Sequence, residues 1–256
     1  MTAKVSRRRL LAAAAAFGLQ GSLTAKSRLG KSQVSAITDE IGATQYETLL
    51  FARTHGLQWV TLRHVPETKK EFASLSAPEL KGYAAEFQAN KLKVSLLKTT
   101  LVDKDGFAAA VSAAQALGAG KIGVRIESAQ AIADLAPLAE NAKIRLSIEG
   151  QPAHAVRAIL DLAPSKWIGF SWDPSLETPW QDAYALLPKA RMFNVEARSE
   201  SLSDGPDLRN WRAIMEAMQR DGFQGEICLE TGQSDGTFEK ASELLGNLLH
   251  IAGEVG

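Results

Sequence analysis

Residues 167–174 read WIGFSWDP, and the rest of the chain is understood from this stretch outward. Ile168, Phe170 and Trp172 share one parity, while Gly169, Ser171 and Asp173 share the other. Successive side chains of a strand point to opposite faces, so Asp173 stands at the C-terminal tip of a small, polar row backed by an apolar one. An open sheet with one wet face would expose that row along its length. A barrel interior instead needs small residues below and offers a polar mouth above, where an acid can do chemistry.

The pattern recurs. In residues 144–150 (IRLSIEG), Leu146 and Ile148 oppose Ser147 and Glu149. In residues 192–198 (MFNVEAR), Phe193, Val195 and Ala197 oppose Asn194, Glu196 and Arg198. In residues 225–231 (GEICLET), Ile227 and Leu229 oppose Glu226, Cys228 and Glu230. Four apolar-backed strands each ending in an acid or amide on the same predicted side imply one shared pocket.

From residue 31 onward, strand-like and helix-like segments alternate. Strands are expected over 34–38, 58–63, 93–99, 121–126, 145–149, 168–173, 191–196 and 226–230. Helices are expected over 44–54, 77–90, 106–117, 129–140, 153–162, 179–187, 207–220 and 237–253. Ser76 before Ala77-Pro78-Glu79 is a helix N-cap signature, and Gly56 and Gly118 stand where C-caps belong. Eight strand–helix pairs suit a single-domain (β/α)8 TIM barrel over residues 33–256. A doubly wound open sheet uses the same alternation, but its strands are apolar on both faces, unlike these.

The chain has 256 residues, 45% of them hydrophobic, with 29 basic and 29 acidic side chains. No bulk field therefore draws it to nucleic acid or an anionic membrane, and no nucleic-acid partner is expected. Its single cysteine, Cys228, excludes an intrachain disulfide and reads as a small core residue. Residues 1–25 read as a leader: Ser6-Arg7-Arg8-Arg9-Leu10-Leu11 is similar to the twin-arginine export motif and precedes an Ala-rich apolar run too short to span a bilayer. Residues 26–32 follow as a linker. The expected partner is the twin-arginine export machinery, the expected location the periplasm, and no membrane span is expected in the mature protein.

A barrel of this kind places its site at the C-terminal strand ends. In chain order these carry Asp39 and Glu40, Arg63 and His64, Lys98, Arg125 and Glu127, Glu149, Asp173, then Asn194, Glu196 and Arg198, and finally Glu230. So many carboxylates in a partly desolvated mouth repel one another, so a cation must compensate. A divalent metal would do so, as would the arginines. Lys98 has the opposite parity to Ser95 and Thr99, which leaves its direction open. Arg63, His64, Arg125, Glu196 and Arg198 are the candidate substrate-binding side chains, and Trp180 is a candidate wall for a sugar.

The stretches Ile37-Thr38-Asp39-Glu40-Ile41, residues 55–63 (HGLQWVTLR), Ser147-Ile148-Glu149, Trp172-Asp173-Pro174, Phe193-Asn194-Val195 and Cys228-Leu229-Glu230-Thr231 resemble those of the xylose-isomerase-like TIM barrels, the sugar phosphate isomerase/epimerase superfamily. The resemblance covers nearly the whole chain after the leader. It implies a divalent ion (Mn²⁺, Mg²⁺ or Co²⁺) held by Glu149, Asp173, Asn194 and Glu230, with Glu149 and Glu230 as the catalytic base and acid. It further implies a carbohydrate substrate isomerised or epimerised through an enediolate. Three departures stand out. FNVEA replaces the usual F-H-V-K-D, so the ligand histidine becomes Asn194. Leu176 and Gly232 stand where His or Asn, and His, are common. These motivate a second expectation, a metal-free periplasmic barrel that binds a carbohydrate or sugar acid without catalysis. A nuclease of the endonuclease IV type needs a histidine-rich zinc site, which four scattered histidines cannot supply.

Overall fold

Eight parallel strands close on themselves in sequence order: β1 (Val34–Ile37), β2 (Trp59–Leu62), β3 (Lys93–Thr99), β4 (Lys121–Val124), β5 (Arg145–Ile148), β6 (Ile168–Trp172), β7 (Met192–Arg198) and β8 (Glu226–Glu230). β1 pairs with both β2 and β8, which makes the sheet a barrel and removes the open-sheet alternative. The computed structural model describes residues 29–126, 128–202, 206–232 and 238–255. The expected leader, residues 26–28 of the linker, and Glu127 lie outside them.

A one-turn helix, Thr38–Ile41, follows β1 directly, and the longer helices are α1 (Gln45–Thr54), α2 (Ala77–Ala89), α3 (Lys104–Leu117), α4 (Ala129–Ala142), α5 (Ala153–Leu162), α6 (Trp180–Leu186), α7 (Pro206–Arg220) and α8 (Phe238–Val255). Their ends follow from local chemistry. The Thr44 hydroxyl accepts from the Glu47 N–H at 3.2 Å while the Glu47 carboxylate accepts from the Thr44 N–H, closing a capping box on α1. Gly118 ends α3 at φ 71, a left-handed conformation that costs a residue without Cβ little. Among the described residues no helix is long and apolar enough to cross a membrane.

The outward row of each strand, with Ile122, Ile148, Phe170 and Val195 fully buried, packs with Phe107, Ile132 and Leu244 of the helices into one hydrophobic core. The inward row is mainly polar, with Ile37 and Leu96 as apolar members beside Thr61. Thr61 Oγ1 lies 3.2 Å from Ser95 Oγ, and Ser147 Oγ lies 3.0 Å from Ser171 Oγ, so hydroxyls satisfy one another inside the barrel. Cys228 joins this layer with its Sγ 3.3 Å from Thr61 Oγ1. Burial, reinforced by Glu230, pushes its thiol up to about 12, so it is an inert core residue.

Two bulges break the alternation. Val60 pairs with Val94 but Thr61 pairs with Leu96, so Ser95 is an extra residue in β3. Phe170 pairs with Met192 but Ser171 pairs with Asn194, so Phe193 is an extra residue in β7. The second corrects the expected parity of Phe193. Its ring enters the barrel base, where a Cβ on Gly169 would lie 2.4 Å from it.

Candidate active site

The first bulge decides the site. With Ser95 inserted, Ser95 and Lys98 both face inward, although they stand three positions apart. The ammonium of Lys98, 7% exposed, stands among the strand-end acids. Nζ lies 3.1 Å from Glu149 Oε2 and 3.5 Å from Glu196 Oε1, and is bonded closely to Glu230 Oε1. Strand parity alone left this lysine's direction open. The available signal was a polar pair three apart, Ser95 and Lys98, flanking Leu96-Leu97, and it acquires meaning only with the register of β2.

Space for the cluster comes from a missing side chain. Lys98 pairs with Gly123 in the β3–β4 register. A Cβ on Gly123 would fall 2.1 Å from Glu149 Oε1. Glycine at that point therefore lets the Glu149 carboxylate lie over β4 and reach the lysine.

Arg198 supplies the second cation. Its Nε lies 2.5 Å from Asp173 Oδ2, and its Nη2 lies 2.8 Å from Glu196 Oε2 and 3.7 Å from Glu230 Oε2. The other oxygen of Asp173 accepts from the Ser175 N–H at 2.9 Å and from its hydroxyl at 2.6 Å. Across the mouth, Arg63 pairs with Asp39 at 2.8 Å and Glu40 at 3.0 Å, and His64 Nδ1 lies 3.2 Å from Asp39 Oδ2. Glu40 also accepts from the Thr231 N–H at 2.6 Å, tying β1 to the end of β8. Arg125 is exposed beside Gly150 and has no ion-pair partner among the described residues.

The charges respond to this packing. Burial opposes the charge of Lys98, but Glu149, Glu230 and Glu196 outweigh it and hold the ammonium well above the usual lysine range. Burial pushes Glu149 up to about 7, with Lys98 opposing and Glu196 and Glu230 adding to the rise. Burial raises Glu230 as well, with Lys98 opposing and Glu196 and Glu40 adding to the rise. Burial works against the charge of Arg198, yet Asp173, Glu196 and Glu230 raise it overall.

The sequence thus places Glu149, Asp173, Glu196, Arg198 and Glu230 in one network, and Arg63 and His64 in a second. Asn194 is elsewhere. It pairs with Ser171 and Glu226, two positions below Glu196 on the same strand, or roughly 6–7 Å deeper at 3.3 Å per residue. Its amide atoms are fully buried and have no hydrogen-bond partner among the described residues.

The divalent ion implied by the resemblance does not fit this arrangement. The oxygens of Glu149, Glu196 and Glu230 converge on an ammonium that already supplies positive charge. Among the described residues no three His, Cys, Asp or Glu side chains form a metal cradle. A dication in that space would meet Lys98 and Arg198 as like charges.

Beside the mouth a cavity of about 460 Å³ opens between the segment after β6 and helix α7. Trp180, Pro174, Pro179 and Trp211 wall it, and the Trp211 Nε1–H donates to Ser201 Oγ at 2.9 Å. Trp180 thus lines a hollow adjoining Asp173.

No protein-family model and no curated protein matches the chain. Solved structures do. A xylose isomerase domain containing protein from Salmonella typhimurium LT2 is 11% identical with a TM-score of 0.68, covering 88% of this chain and 98% of its own. A xylose isomerase-like TIM barrel protein from Mycobacterium smegmatis, in complex with magnesium, is 14% identical with a TM-score of 0.63, covering 86% and 98%. A D-psicose 3-epimerase in the presence of D-fructose is 12% identical with a TM-score of 0.62, covering 86% and 96%. The chain shares the (β/α)8 barrel fold of these xylose isomerase-like and epimerase structures, and at these identities the likeness extends to fold alone.

Proposed function

We propose that this chain acts on a small carbohydrate or sugar acid by metal-independent proton transfer, with the Lys98 ammonium serving where sugar isomerases of this fold are expected to use a divalent ion. The observation that carries the reading is Lys98 Nζ seated among Glu149, Glu196 and Glu230 at the floor of the mouth. In the proposed step Glu149 takes the proton from the carbon next to a carbonyl. The electron pair moves onto the carbonyl oxygen, which accepts a hydrogen bond from Lys98 as it becomes an enediolate. Return of the proton to the former carbonyl carbon, while the hydroxyl proton on the first carbon passes to the former carbonyl oxygen, isomerises the sugar. Delivery from Glu230 to the opposite face of the same carbon epimerises it.

Arg125, unpaired among the described residues, suits a carboxylate on the substrate, and Trp180 offers a flat wall for the apolar face of a sugar. Arg63, by contrast, is engaged with Asp39 and Glu40, so its work is to hold the two acids on the helical turn after β1.

The test is hydrogen exchange in D₂O with a panel of ketoses, aldoses and uronic acids, followed by NMR in excess EDTA. Deuterium entry that survives EDTA and disappears in Glu149→Gln is expected. Exchange that appears only on adding Mn²⁺, Mg²⁺ or Co²⁺ would overturn the reading. One observation favours the second reading, a carbohydrate-binding barrel without catalysis. Lys98 has three N–H groups and faces three carboxylates, which leaves a substrate oxygen to compete for them. Saturable stabilisation by a sugar acid with no exchange into any compound would select that reading. The twin-arginine leader and periplasmic location belong to the same proposal, supported by residues 6–11.

A further inference from the structure

The other end of the barrel carries a different chemistry. At the N-terminal strand ends lies a cavity of about 1380 Å³, lined among others by Lys121, Lys143, Arg145, Lys166, Lys189 and Arg191. Among the described residues two acids line it, Asp221 and Glu226. Both have cation partners: Glu226 is bonded to Lys121, and Asp221 Oδ1 lies 3.3 Å from Arg220 Nε. The remaining five cations have no carboxylate at ion-pair distance among the described residues. In a chain with no net charge, that is a strong local segregation.

Several of these cations are held in place by aromatic rings and carbonyls. The Arg145 guanidinium lies 5.1 Å from the centre of the Phe193 ring, which the β7 bulge turns into the barrel base. Lys166 Nζ lies 5.6 Å from the Trp167 ring centre and Lys189 Nζ 4.1 Å from that of Tyr184. Arg191 donates from Nε to the Ile168 carbonyl at 2.9 Å. Lys121 forms the floor, 7% exposed, donating to the Phe193 carbonyl at 3.3 Å.

We infer that this cavity is a second ligand site, one that takes a soluble organic polyanion bearing phosphate or sulfate groups. A concave basic wall focuses positive potential into the hollow, and its arginines present forked donors suited to oxyanions. Recession of the floor favours a compact soluble ligand over a lipid surface, which would meet only the rim. The site is independent of the proton chemistry proposed for the opposite mouth.

Titration calorimetry and Trp167 fluorescence with tripolyphosphate as the probe test this. Saturable binding is expected, weakened by salt. It should fall by at least about tenfold in the Arg145→Ser/Lys166→Ser double variant, because two rim cations are lost. Lys81→Ser, on the exposed face of α2, should bind as the unaltered chain does, and circular dichroism should show all forms folded. A second measurement uses phosphatidylglycerol vesicles, with which no co-sedimentation is expected. Absence of tripolyphosphate binding, equal binding by the double variant, or retention on vesicles without binding of the soluble probe would each overturn the inference.

Discussion

Removing Lys98 is the perturbation with the largest expected consequence. In Lys98→Ala four carboxylates, Glu149, Asp173, Glu196 and Glu230, face Arg198 alone. Arg198 contacts Asp173 and Glu196 and stands 3.7 Å from Glu230, so Glu149 loses its one ion-pair partner among the described residues. Unit charges at such separations interact by about 4 kcal/mol at an effective dielectric of 20. Loss of one member of a buried ion pair typically costs about 3–5 kcal/mol. The acids can relieve part of this by taking up protons, and Glu149 is already pushed up to about 7 with the lysine present. The deficit should therefore be greatest at pH 8 and shrink toward pH 5. A domain of this size loses about 2–4 °C in Tm per kcal/mol, giving a fall on the order of 6–20 °C at pH 8. Urea unfolding and thermal melts at both pH values measure it. The vacated space should also admit a dication, so Mn²⁺ should stabilise the variant and leave the unaltered chain unchanged. A deficit below about 1 kcal/mol that does not vary with pH, the size of an exposed ion pair, would refute the reasoning. So would equal stabilisation of both forms by Mn²⁺.

Glu149 sets a pH dependence of its own. Its carboxyl is raised from 4.5 to about 7, so its contribution to stability is complete below 4.5 and is lost as the pH rises through 7. Glu149→Gln should flatten that part of the stability curve, and an unchanged curve counts against the assignment. Proton exchange into substrate should rise across the same window, because the base must be ionised. Gly123→Ala should displace the Glu149 carboxylate, since its Cβ would fall 2.1 Å from Oε1. A loss of activity with only modest destabilisation is expected, and full activity would show that Glu149 need not lie over β4. Asn194→Leu, which removes a buried amide without partners among the described residues and keeps its branched shape, should be neutral or stabilising by thermal melt. A loss above about 2 kcal/mol would mean the amide has a partner and a role. Replacing Arg7 and Arg8 with Lys should hold the precursor in the cytoplasm, and cell fractionation showing normal export would remove the leader proposal.

What could be read from the sequence was whatever depends on neighbours along the chain. The period of two in residues 168–173 puts Asp173 at the tip of an inward row because no bulge lies within β6 itself. The same holds for Glu149 on β5 and Glu230 on β8, and the acids at the mouth follow from parity. Lys98 and Phe193 did not follow, for one physical reason. Each lies at or beyond an inserted residue, and an insertion is defined by the register against another strand, β2 for Ser95 and β6 for Phe193. Counting along a single strand contains no information about that register.

The charge argument required a cation among the acids but was indifferent to its identity, and a metal, an arginine or a lysine would all satisfy it. One extra residue in β3 made the choice, by turning a lysine inward at the level of Gly123, where Glu149 has room to meet it. Once an ammonium with three donors stands there, a histidine ligand on β7 has no ion to hold. That accounts for an unpartnered amide at position 194 more simply than a weakened metal site does, because a ligand in use would be aimed at its ion and this amide lies two positions below the acids. The same substitution pattern thus reads differently once β3 is in register: on the proposed reading, Asn194 marks a barrel whose positive charge comes from its own chain.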